Sequence, residues 1–130
     1  MLEQYIFNKI STDSTLQTLL NDGSGGVLLY PSVVPKGIDA DAMVTFTRIG
    51  TSDVYPAAQS AVVQFNIFAK THTAISTIAQ ALSDLFNEDN HQTDGGIQIV
   101  YSQRRSESDL GYDYDDKLYQ REATYYFKIR

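Results

Sequence analysis

The sequence predicts an α+β fold: a mostly antiparallel sheet of about five strands with helices packed on one face. Three observations carry this. The run Val62–Phe86 passes from strict alternation to a repeat every three to four residues across a short polar joint. Alternating runs flank it on both sides instead of trading places regularly with helices. The chain also opens on two Leu- and Ile-rich stretches at helical spacing. The predicted order is α-α-β-β-β-α-β-β in a single domain covering 1–130, and 130 residues suit one core.

In the first predicted helix, 2–10, Leu2, Ile6 and Ile10 form a stripe with Phe7 beside them. A second, 14–21, starts after "STDS", where Asp13 or Ser14 can accept from free backbone amides and Ser14 with Gln17 has capping-box spacing. Leu16, Leu19 and Leu20 point inward, and "NDGSGG" stops the helix. "VLLY" (27–30) reads as a short strand, and Pro31 and Pro35 bracket a poorly paired stretch. "MVTFTRI" (43–49) and "AVVQFNIFA" (61–69) are strands, the latter with Val63, Phe65, Ile67 and Ala69 on one face. The 50–60 segment between them is long for a hairpin loop, so it is either a partner-binding arm or an extension of both strands. Thr71 or Thr73 caps the next helix, whose stripe is Ile75, Ile78, Ala79, Leu82, Leu85 and Phe86. Residues 87–96 read as a polar loop, 97–104 as a strand and 106–116 as an acidic connection. The last strand, 118–130, places Ala123, Tyr125, Phe127 and Ile129 on one face.

Composition excludes several classes. The net charge is −6 and the ten basic residues are scattered, which argues against tight binding to a phosphate backbone. No apolar run is long enough to cross a bilayer, and "MLEQYIFNKI" does not have the pattern of a secretory signal. With no cysteine, disulfide and thiolate chemistry are excluded and synthesis in a cytosol fits.

The search for catalytic constellations finds little. "DGSGG" precedes a strand and not a helix, so it does not form a phosphate cradle. His72 and His91 lie far apart with no partner at metal-ligand spacing, and no G-x-S-x-G elbow occurs. Asp109, Asp113, Asp115 and Asp116 cluster, but Gly111 precedes most of them, which is the wrong order for a calcium loop; a solvated acidic loop is the simpler reading. No catalytic, cofactor-binding or metal residue is therefore assigned. Tyr112 and Tyr114, in that connection, mark a partner surface, because aromatic groups with polar tips suit interfaces. Phe68 does the same, since it leaves the second face of its strand in need of cover.

The ordered stretches "DSTLQTLL", "VLLYP", "VQFNIFAK", "AISTIAQALSDLF" and "YQREATYYFKIR" together resemble the tail terminator (tail completion) proteins of long-tailed bacteriophages. The likeness spans nearly the whole chain and lies in element order and pattern, without an invariant motif. Many members carry a proline before the strand that starts here near Met43, where this chain has Ala42. The resemblance implies a non-enzymatic virion protein made in the bacterial cytoplasm. It implies a homo-hexameric ring, formed on docking or before it, that caps the finished tail tube and offers a surface to the head connector. Tail tube protein and head-completion protein are then the partners, DNA passes through the lumen without specific binding, and no cofactor or membrane is involved. On that reading Ser52, Asp53, Val54 and Tyr55 belong to an arm toward the tube or a neighbour. Some of Asp109, Asp113, Asp115 and Asp116 face the channel, where carboxylates avoid trapping phosphate. The competing readings are another neck component (a head-completion or connector protein, or the matching part of a phage-like injection device), a small hydrolase using Asp113 or His91, and a monomeric regulatory binding module.

Overall fold

The computed structural model describes residues 2–21, 23, 26–31, 40–54, 58–87, 89–94 and 97–129, with backbone alone for 51–54, 58–59, 89–94 and 97–98. Its elements are α1 (Leu2–Thr12), α2 (Ser14–Leu19), β1 (Leu29–Pro31), β2 (Ala42–Val54), β3 (Ala58–Ala69), α3 (His72–Phe86), β4 (Asp89–Asp94), β5 (Ile97–Asp113) and β6 (Leu118–Ile129). The fold is α+β, as the sequence predicts. One six-stranded sheet runs β1-β2-β3-β6-β5-β4. Its pairs are antiparallel except β1 with β2, which is parallel, so the sheet is mixed.

Local chemistry sets the helix ends. The Asp13 carboxylate accepts from the Leu16 amide at 3.0 Å and caps α2. Thr71 does the same for α3, accepting from the Ala74 amide at 3.1 Å. At the other end of α3 the tie is to the sheet. The Ser102 hydroxyl donates to the Phe86 carbonyl at 2.6 Å, and the Arg104 amide donates to Asn87 Oδ1 at 2.9 Å. Two bonds from β5 thus hold the helix terminus, where carbonyls lack helical partners.

β3 shows the alternation that the sequence predicts. Ala61, Val63, Phe65, Ile67 and Ala69 are buried, while Val62, Gln64, Asn66 and Phe68 are half-buried. Ala123, Tyr125, Phe127 and Ile129 of β6 are buried beside them. α3 lies over this face, and α1 and α2 pack against α3. The rings of Phe65, Phe86, Tyr125 and Phe127 meet here. Phe86 stacks on Phe65 at 5.7 Å and meets Phe127 and Tyr125 edge-on at 5.7 and 6.1 Å, with Tyr5 of α1 at 6.4 Å. Each such pair adds about 0.5–1.5 kcal/mol beyond burial.

Several boundaries differ from expectation. The described part of the 50–60 segment follows the second of the two readings the sequence allows, extension of both strands: β2 reaches Val54, β3 begins at Ala58, and Val54 faces Ala58. The expected polar loop at 87–96 contains β4, paired from Asp89↔Ser102 to Asp94↔Ile97. The expected acidic connection is strand as far as Asp113, so Tyr112 lies on β5 and not in a loop. Phe7, placed beside the α1 stripe, is 39% exposed. β2 is buried from Ala42 through Phe46, on both faces, which is why its sequence does not alternate cleanly.

Tyr125 is fully buried, and burial pushes its phenol up to about 12. Nearby Arg104 and Ser83 offset part of that rise. Among the described residues its hydroxyl has no hydrogen-bond partner of good geometry. The unfolded chain ionises this group near pH 10, so its stabilisation is complete below about pH 10 and is lost as pH rises toward about 12. Tyr125→Phe is expected to cost under about 1 kcal/mol at pH 9. Between pH 9 and 11.5, urea unfolding should show the wild type losing roughly 2 kcal/mol more than the variant.

Candidate functional site

The β5–β6 hairpin carries most of the residues singled out in the sequence. Its tip is a tight turn. Asp113 Oδ1 accepts from the backbone amides of Asp115 and Asp116 at 2.9 and 3.2 Å, the ordinary role of aspartate at the start of a turn. Lys117 closes the turn at φ 57°, and Leu118 returns opposite Asp113. Three aromatic rings sit behind the tip: Tyr112 meets Tyr114 at 5.1 Å and Tyr119 at 4.8 Å. Tyr114 is 84% exposed.

Further along the hairpin, Asp109 is held by charge. Arg121 Nε donates to Asp109 Oδ1 at 2.6 Å across the two strands. His72 Nε2, in the first turn of α3, lies 4.0 Å from Oδ2 and its ring meets Tyr119 edge-on at 5.9 Å. The Arg121 hydrogen bond lowers the Asp109 pKa, with the Arg121 and His72 charges adding to it. Asp109 and Tyr112 flank a cleft of about 230 Å³ with His72 and Ile75 on its other side. This arrangement neutralises one carboxylate and pins the hairpin to the N-terminus of α3. It brings no nucleophile to a base. Among the described residues, no group of three or more His, Asp or Glu is placed to hold a metal ion.

The candidate surface is thus split. Asp109, Tyr112, Asp113, Tyr114, Asp115 and Asp116 share the β5–β6 hairpin. Ser52, Asp53 and Val54 end β2, opposite Ser60, Gln59 and Ala58, at the opposite end of the sheet. Tyr55 lies outside the described residues. Phe68 sits between Met43 and Gln120 on the sheet face away from α3, half-buried. His91 is on β4. Arg121 and His72 join Asp109 only through hairpin register and helix placement, which no local pattern in the chain signals.

Bulges shape both hairpins. The β2–β3 register shifts between Arg48 and Gly50, leaving Ile49 as the extra residue. The β5–β6 register shifts at Val100, Arg105 and Leu110. Gly111, just after the last shift, has φ +92°, a conformation that disfavours any side chain, although a methyl group there would meet nothing within 4 Å. Gly50 has no such φ, and a methyl group there would make ordinary contact with Val62 at 3.8 Å. Gly111→Ala is therefore expected to cost about 1–2 kcal/mol from backbone strain alone, and Gly50→Ala to lie within about 0.5 kcal/mol of wild type. Thermal unfolding of the two variants side by side checks the contrast.

No protein-family model matches the chain, and no curated protein does. Among solved structures, the fold is similar to that of a chain in the virion of a native gene transfer agent particle. The TM-score is 0.73 at 15% identity, over 95% of this chain and 90% of that one.

Proposed function

We propose that this chain is a structural protein of a phage-like particle and, within it, the tail terminator: a ring that caps the completed tail tube, halts its polymerisation and presents the joining surface to the head. The observation that carries this reading is the shared fold with a virion chain across 95% of the sequence. It agrees with the resemblance in element order. A sheet whose two hairpins close at opposite ends also suits the role, because a cap between tube and head needs two distinct faces. The β2–β3 hairpin, with Ser52, Asp53, Val54 and Tyr55, is the arm toward the tube or a neighbour. Tyr112, Tyr114 and Phe68 belong to contact surfaces. Asp113 is engaged in its own turn and Asp109 is neutralised by Arg121. Asp115 and Asp116 are therefore the carboxylates best suited to line a channel that DNA must traverse without sticking. Another neck protein is the second reading, since the structural likeness is to a virion chain without a stated position.

Loss of the gene separates the two. A missing terminator should give tails of uncontrolled, excessive length in negative-stain micrographs. A missing connector should give tails of normal length without heads, and that result would overturn the terminator assignment. Particles carrying Asp115→Asn with Asp116→Asn should assemble normally and eject DNA more slowly. Unchanged ejection would remove these residues from the channel.

A further inference from the structure

The sheet has two long strand edges with no described neighbour. β4 lies against Ile97–Ser102 alone, so from Gln103 to Asp113 β5 pairs with β6 on one side and with no described strand on the other. The Arg104 amide is taken by Asn87. β1 lies against Val44–Phe46 alone, so from Thr47 to Val54 β2 has no described strand on its outer side. The shorter edge runs about 27 Å at the usual strand rise. Backbone donors and acceptors without a described strand partner over such a length are a template for another strand.

The two edges match each other. β2, β3, β6 and β5 are successively antiparallel, so β2 and β5 run in opposite directions at opposite margins of the sheet. A copy rotated about an axis along the strands brings its β2 edge antiparallel to the β5 edge of the first. Charge favours that direction. The β5 edge runs from Arg104 and Arg105 to Asp109 and Asp113, and the β2 edge from Arg48 to Asp53. Antiparallel alignment sets the arginine pair beside Asp53; at the other end Arg48 is already paired with Glu3 at 3.1 Å and Asp109 with Arg121 at 2.6 Å, so the charge preference comes from the Arg104–Arg105 end alone. Each edge also carries one large apolar residue put out of register by a bulge: Ile49 is 54% exposed and Leu110 is 53% exposed. When Arg104 or Arg105 stands opposite Asp53, Ile49 falls within two residues of the position facing Leu110.

We infer that Gln103–Asp113 of one copy pairs antiparallel with Thr47–Val54 of the next, with Leu110 and Ile49 packed together at the joint. This rests on the proposed ring and names the surfaces that close it. The contact is heterologous, as ring growth requires, because it joins two different patches of the same chain. The bulges serve specificity: a strand without the matching offset meets a kinked edge.

The test uses Ile49→Lys and Leu110→Lys, with Phe7→Lys on α1 as control, in sedimentation without tubes. Wild type and Phe7→Lys should form oligomers as concentration rises toward about 1 mM. Each edge variant alone should associate at least about tenfold more weakly. Their mixture should form a one-to-one dimer that grows no further, because each variant supplies the intact edge that the other lacks. Amides of 47–54 and 103–113 should exchange more slowly in the associated wild type, a readout that needs no variant. A wild type that stays monomeric, a mixture that behaves like the separate variants, or unprotected edges would each overturn the inference. Failure to cap tubes while this association holds would sink the terminator reading alone. Capping by both edge variants as by wild type would sink the edge inference alone.

Discussion

The structure depends on the packing of Phe86 between the end of α3 and the sheet. Its ring is fully buried and meets Phe65 of β3, Tyr125 and Phe127 of β6 and Tyr5 of α1. One side chain thus links the first helix, the last helix and the two central strands. The backbone beside it is bound as well, since β5 donates from Ser102 to the Phe86 carbonyl and from Arg104 to Asn87. Removing a buried ring of this kind costs about 3–5 kcal/mol, a large share of the stability of a small domain. The edges, hairpins and turn described above keep their positions only while this helix stays seated on the sheet.

What the sequence showed follows from where the periods are clean. β3 and β6 are buried on one face, so their alternation is regular and their inward residues could be named in advance. α3 has one apolar stripe and a Thr71 cap, and it too was legible. β5 was not. Its residues opposite the inward side of β6 are Ile99, Ser102, Arg104, Glu107, Asp109 and Tyr112. Their spacing is three, two, three, two, three, because three bulges each insert a residue. No period-two pattern survives that, and polar residues finish the disguise. β4 was hidden by composition, since "DNHQTD" has turn chemistry and no apolar face. The candidate site was legible as a set of residue types and not as a constellation. Asp109 could be noticed from sequence, whereas its neutralisation by Arg121 depends on the hairpin register.

The long hairpins give the molecule a polarity that composition does not hint at. One ends in an acidic turn backed by tyrosines, beside the start of α3. The other lies at the far end of the sheet, where β6 finishes. Between them the helices cover one face, while the half-buried row Val62, Gln64, Asn66 and Phe68 lies on the other. Such a body presents different surfaces above, below and to either side.

The bulges in β5 also decide how the chain can change length. Deleting Val100, Arg105 or Leu110 would convert a bulge to plain ladder and leave every other side chain on its original face. Deleting a residue between them would turn the rest of the strand inside out. Sheet register alone thus tolerates a change in length through this strand at three sites and opposes it elsewhere, so an alignment that places gaps anywhere else in it sets inward residues against outward ones.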